Sequence, residues 1–163
     1  MSETPPNAES SKYRALQDKN PYAALGRAVG YLMTKPNFKE LKFGFWSRTL
    51  AGQINRNHYF LAAEEGKIVG FVGWALVSEE MAKAWLNGNA DFDSVDCKSG
   101  DCMVINAWAA DTNAVNRFNL REIRRHLVGL EAAYAKRFYK NGRVRPLRVG
   151  ITDLVEVHLE KGA

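Results

Sequence analysis

Cysteine is scarce in this chain, with only Cys97 and Cys102 among 163 residues. The two flank Lys98-Ser99-Gly100-Asp101, and no second Cys or His pair stands at a spacing that completes a tetrahedral site. No metal is therefore expected, and the thiols are expected to be reduced, at a hairpin, rather than joined in a disulfide. Long apolar runs are also lacking, and the opening MSETPPNAESSKYR has no charged-then-apolar order. A membrane span and a signal peptide are thus not expected, which predicts a cytoplasmic protein with no membrane partner. The usual catalytic signatures are absent too: no Gly-x-Ser-x-Gly elbow, no Walker loop, no His-Glu-x-x-His helix. Nor is Asp111-Thr112-Asn113-Ala114, at the start of a predicted helix, rich in the glycines that let backbone N–H groups grip a pyrophosphate. Coenzyme A is not expected, and no other cofactor is implied.

What is present has the proportions of an ordinary globular domain, 46% hydrophobic and 25% charged. The length suits one domain with a proper core, read as residues 20–163 behind a polar tail of residues 1–19. The net charge is +5, and the excess gathers late in the chain. Arg117, Arg121, Arg124, Arg125, Lys136 and Arg137 stand on a predicted helix as a candidate partner-binding patch. Such a patch meets phosphates, an acidic protein or an acyl carrier protein, or is simply a solvated helix face.

Asn20-Pro21 reads as a helix cap with proline at the first helical position. Leu25, Ala28, Val29, Leu32 and Met33 then define a buried face, with Pro36 ending the helix. Phe45, Trp46, Leu50 and Ile54 mark a second amphipathic stretch. Tyr59 to Ala63 and Ile68 to Leu76 are predicted as strands joined by a tight turn at Glu64-Glu65-Gly66-Lys67. Gly70 and Gly73 inside the second strand suggest a bulge or a close backbone approach. Ser78 caps a short helix ended by Gly88, residues 89–101 are predicted as loop, and Met103 to Ala109 is a further strand. The longest helix is predicted from Asn113 to Tyr139, with Leu120, Ile123, Leu127, Leu130 and Tyr134 as its apolar stripe. Strands at Leu147 to Ile151 and Leu154 to His158 would close the sheet. The fold class is α+β, a mixed and mainly antiparallel sheet flanked by helices.

Three histidines are candidate acids or bases: His58 at a strand entry, His126 in the basic helix, and His158 in the last strand. Each, standing alone, is more often structural than catalytic.

Several segments together carry a resemblance. Asn20-Pro21, Leu25-Gly26 and Pro36 recur in order, followed by Asn57-His58-Tyr59 and by Trp74-Ala75-Leu76-Val77-Ser78-Glu79-Glu80. Ser99-Gly100-Asp101, Ile105, Lys136-Arg137-Phe138 and Arg148-Val149 complete the set. In this order and spacing the chain resembles the RTX toxin-activating lysine acyltransferases from Asn20 to about His158. The resemblance implies a fold like that of the Gcn5-related acetyltransferases. It also implies transfer of a fatty acyl group from acyl carrier protein to a lysine of a protoxin. That chemistry needs a base for the lysine amine and polar support for the oxyanion.

The family's histidine falls here on Phe38 and its aspartate on Asn106, so both catalytic positions are substituted. Phenylalanine accepts no proton, and asparagine carries no charge to steady an imidazolium. His58 and Asp111 are the alternative candidates. The resemblance therefore implies a catalytically degenerate homologue, reused as a structural or binding component of an assembly. A spike base of a phage-like gene transfer particle is one form of this. The expected partner is a protein or assembly, met through the N-terminal tail, and the chain is expected to be a homo-oligomer. The alternative is an active protein-lysine fatty acyltransferase with acyl carrier protein as donor. Nucleic acid ranks last, because few aromatics interleave the basic residues of the predicted helix.

Overall fold

The computed structural model describes residues 12–88, 92, 96–139 and 141–150. Its strands are β1 (Tyr13–Leu16), β2 (Tyr59–Glu64), β3 (Lys67–Val77), β4 (Cys102–Ala110), β5 (Ala132–Phe138) and β6 (Val144–Gly150). Its helices are α1 (Pro21–Leu32), α2 (Pro36–Lys39), α3 (Phe43–Asn55), α4 (Glu79–Leu86) and α5 (Asn113–Arg125). The strands form one six-stranded sheet in the order β1-β2-β3-β4-β5-β6. The ladders β1–β2, β2–β3 and β5–β6 are antiparallel, and β4–β5 is parallel. This is the α+β class expected, with a mainly antiparallel sheet. Among the described residues no helix is long and apolar enough to cross a membrane. Two compact units divide the chain, Met1–Gly73 with Trp108–Glu122 and Trp74–Ala107 with Ile123–Ala163.

The first unit starts from its caps and turns. Asn20 Oδ1 accepts the Tyr22 and Ala23 N–H groups at 2.9 and 3.3 Å, so two donors orphaned at the start of α1 are satisfied. The helix buries Ala24, Ala28 and Leu32. That face is turned by about one position from the predicted stripe, and Met33 is exposed. Pro36 does not merely end α1; it opens α2 at the first helical position. α3 buries Trp46, Leu50, Gln53 and Ile54, whereas Phe45 faces outward.

The β2–β3 hairpin turns through Glu65 and Gly66, both at positive φ, the pair of conformations that suits a two-residue hairpin. Its ladder slips between Ala62 and Ala63, leaving Val69 as the extra residue of a bulge. A side chain at Gly70 would meet Val115, Ala62 and the Ala109 carbonyl, and one at Gly73 would meet the Gln53 side chain. Both glycines therefore mark close approach, as their position in a strand suggested. The segment read from sequence as a polar tail departs from expectation in part, because Tyr13–Leu16 pairs with β2. The Tyr13 ring packs 5.7 Å from that of Phe118, which supplies the apolar contact that a free tail lacks.

The second unit is built on α4 and on β4, β5 and β6. Ser78 Oγ accepts the Met81 N–H at 3.2 Å, with Glu79 and Glu80 in the first turn and Gly88 at positive φ beyond the end. The helix to Tyr139 expected from sequence is corrected here. α5 stops at Arg125, Gly129 takes φ 84°, and Ala132–Phe138 is a strand. Ala132, Ala133 and Tyr134 are buried in succession, as a strand with parallel and antiparallel neighbours requires. Leu120, placed on the predicted stripe, is exposed. Cys97 and Cys102 are free, buried thiols in one apolar cluster with Ala75, Val77, Ala82, Val104 and Tyr134. Burial raises the Cys102 pKa. The expected strand at Leu154 to His158 lies outside the described residues.

Candidate functional site

An open cleft of about 390 Å³ lies within the first unit. Lys35 and α2 form one wall, contributing Pro36, Asn37 and Phe38. The end of β4 and the start of α5 form the other, with Trp108, Asp111, Thr112, Asn113 and Asn116. Thr112 sets the helix start, its Oγ1 accepting the Val115 N–H at 3.2 Å and its carbonyl the Asn116 N–H at 3.0 Å. The Trp108 indole N–H donates to Asn116 Oδ1 at 2.8 Å and so fixes that amide at the cleft wall.

The bulge at Val69 organises the charged edge of this cleft. A bulged residue falls out of the ladder, and the Val69 carbonyl instead accepts the Asp111 N–H and the Tyr31 hydroxyl, each at 2.9 Å. The Tyr31 hydroxyl is also 2.9 Å from Asp111 Oδ1, and Lys35 Nζ lies 2.6 Å from the same oxygen. The ammonium also lies over the Tyr31 ring, 4.4 Å from its centroid. Burial, and then the carboxylate beside it, raises the Tyr31 pKa well above the tyrosine range. The folded state thus keeps a proton that the unfolded chain gives up near its ordinary value. The resulting stability is complete below that range and is lost as the pH rises through it.

Asp111 consequently ties Tyr31 and Lys35 to the residues just before α5. Its replacement by alanine is expected to cost about 1–2 kcal/mol, by stranding Lys35 and removing the Tyr31 acceptor. Asp111→Asn is expected to cost less, because it keeps that acceptor. Urea denaturation of the two variants checks the order.

Of the residues singled out from sequence, Phe38 and Asp111 meet in this cleft. Phe38 is 9% exposed, with its ring centroid 6.5 Å from that of Trp46. Asn106 is half-buried on β4, in the second unit. His58 is half-buried at the entry to β2, with its N–H donating to the Gln53 carbonyl at 2.8 Å and Nδ1 3.4 Å from Arg56 Nε. It does not line the cleft, and no histidine does among the described residues. His126 lies just beyond α5 rather than within a helix, its ring 4.6 Å from that of Trp74. His158 lies outside the described residues.

The basic patch is also redistributed. Arg117, Arg121, Arg124 and Arg125 are on α5, while Lys136 and Arg137 are on β5, because Gly129 separates the two elements. Lys136 sits 4.2 Å from the Trp85 ring centroid, and burial lowers its pKa. Lys35, Trp108 and Asn116 escaped the sequence reading. Their only signal was proximity to Pro36, to the end of a predicted strand and to a predicted helix start.

The model of the family described as RTX toxin acyltransferases matches residues 17–147. No curated protein matches the chain. Among solved structures it is similar to the loading GNATL domain of CurA from Lyngbya majuscula, at 15% identity and a TM-score of 0.58. That match covers 79% of this chain and 66% of that one, so this chain spans slightly under two thirds of that domain. An apo mutant of agmatine N-acetyltransferase is similar at 11% identity and a TM-score of 0.56, over 86% of this chain and 100% of that one. At these identities the likeness is one of fold.

Proposed function

The chain belongs to the RTX toxin acyltransferase family, and from that premise we propose that it is a catalytically silent member whose fold serves binding. Family and fold make it an acyltransferase-type protein. The observation that carries the finer reading is the chemistry of the cleft. Where the resemblance calls for a histidine base stands Phe38, and the titratable groups lining the cleft are Lys35 and Asp111, ion-paired to each other. Lys35 Nζ lies 2.6 Å from Asp111 Oδ1 and the Tyr31 hydroxyl lies 2.9 Å from the same oxygen, so both groups are already engaged with partners. General-base catalysis needs a group free to take the amine proton.

The cleft is open, which suits a protein kept for what it holds or docks against. Phe43, Phe45, Met33 and Tyr22, all exposed on the first unit, add apolar surface of the kind buried in protein assemblies. Incorporation into a larger assembly, such as a spike base of a phage-like particle, is the form of this role that we favour.

The test is incubation with fatty-acyl-loaded acyl carrier protein and lysine-bearing protein substrates, followed by mass spectrometry. No acylated lysine above the protein-free control is expected. Acylation that disappears in His58→Ala or Asp111→Ala would establish the active alternative instead.

A further inference from the structure

We propose that the β5–β6 hairpin is a ribbon that binds the phosphate backbone of double-stranded DNA. The inference stands apart from the cleft and does not depend on whether acyl transfer is lost. It begins with charge: from Ala132 to Gly150 the chain carries Lys136, Arg137, Lys140, Arg143, Arg145 and Arg148, with no Asp or Glu.

The register sorts the described members of this set. On one face Tyr134 opposes Arg148 and Lys136 opposes Pro146. These two cations are already occupied: Arg148 Nε donates to the Tyr134 hydroxyl at 3.0 Å and reaches Glu79 at 3.7 Å, and Lys136 covers Trp85. On the other face Arg137 stands directly opposite Arg145. Beyond the Phe138–Val144 rung the Tyr139 N–H donates to the Arg143 carbonyl at 2.9 Å, which brings a third arginine onto the same face two residues along.

Like charges directly opposite across two strands destabilise the pairing. Among the described residues Arg137, Arg143 and Arg145 have no carboxylate partner, and all three are exposed. The Arg137 guanidinium lies 5.1 Å from the Tyr139 ring centroid, an arrangement that holds the planar group in place. Three arginines on one face, in alternate rungs of the hairpin, are therefore poised for an external polyanion.

Arginine forks fit phosphate oxygens in pairs, which favours a phosphate backbone over scattered carboxylates. The shape agrees. Two strands about 4.8 Å apart make a ribbon that a major groove about 12 Å wide admits. The low rank given to nucleic acid from sequence rested on a basic helix with few aromatics. As a hairpin, the same residues interleave Phe138 and Tyr139 with the arginines, and Phe138 is 57% exposed.

The experiment is fluorescence anisotropy of the full chain with a labelled mixed-sequence DNA duplex across a salt series. Three phosphate contacts are expected to give a log–log salt slope of about −3. Combining Arg137→Ala, Arg143→Ala and Arg145→Ala is expected to weaken binding at least about tenfold and to remove most of that slope. A charge-matched control, Lys39→Ala with Lys42→Ala and Lys67→Ala, is expected to stay within about twofold of wild type if the ribbon is the contact. Circular dichroism verifies that both variants fold. Absence of duplex binding, or equal weakening by the two triple variants, overturns the proposal. Polyglutamate bound at least as tightly as the duplex would assign the face to an acidic protein and overturn it equally.

Discussion

Replacement of Gly100 by alanine is expected to be the most damaging single-methyl change in this protein. Gly100 lies before β4, and a Cβ there would sit well inside contact distance of the Val77 carbonyl carbon, its oxygen and its Cα. A side-chain tip can swing away from such a clash, but strand backbone cannot. Val77 is the last residue of β3 and is 2% exposed, packed with Ala82, Cys97, Cys102 and Val104. The neighbouring Leu76 N–H donates to the Cys97 carbonyl at 2.9 Å, which clamps the loop to the strand. Relief thus requires lifting the loop, breaking that hydrogen bond and opening the cluster. The expected cost is above about 3 kcal/mol, which in a chain of this length lowers the melting temperature by roughly 10 °C. Thermal melting followed by circular dichroism checks it. A variant that melts within a few degrees of wild type would show that the loop does not pack on β3 in this way.

The second large effect is expected at Tyr134, which is 1% exposed in the middle of β5. It is in register with Val104 of β4 and Arg148 of β6, and its ring belongs to the apolar cluster beneath α4. Truncation to alanine removes an aromatic ring from a packed site and leaves a cavity, with an expected cost of about 3–5 kcal/mol. Tyr134→Phe keeps the ring and loses the hydroxyl that accepts from Arg148 and bonds Glu79, so about 1 kcal/mol is expected. Urea denaturation of both variants measures the gap. Near-equal losses would mean that the hydroxyl, not the packing, holds this strand.

The contrast between these elements accounts for what the sequence made legible. The β2–β3 hairpin, the Asn20 and Ser78 caps and the stop at Gly88 are local devices, each written in a few adjacent residues. Gly70 and Gly73 were legible as close approaches because glycine weakens a strand interior unless a neighbour occupies the space of its missing side chain. The failure at β5 has an equally definite cause. Leu127, Leu130 and Tyr134 happen to continue the spacing of α5, and the alanines of residues 132–135 favour helix on intrinsic grounds. A strand enclosed by neighbours loses the alternation that would betray it. The one contrary signal was Gly129, just past Arg124-Arg125-His126, where glycine at positive φ ends the run. β1 was missed because its stability lies in pairing with residues far along the chain.

The candidate site divides in the same way. Phe38 was marked by the family resemblance, and Asp111 by its place at a helix start. Their meeting with Lys35, Tyr31 and Trp108 depends on the Val69 bulge and on chain crossings that no local pattern encodes. Once assembled, the cleft places the Asp111 carboxylate 2.6 Å from the Lys35 ammonium and 2.9 Å from the Tyr31 hydroxyl. His58, for its part, lies outside the lining.

The most direct measurement is the discharge of a fatty acyl thioester from acyl carrier protein, followed over time with wild-type protein and an excess of lysine-bearing acceptor. A silent cleft predicts a rate equal to that of the protein-free control across neutral pH. Faster discharge, abolished by substituting His58 or Asp111, would contradict it and restore an active acyltransferase.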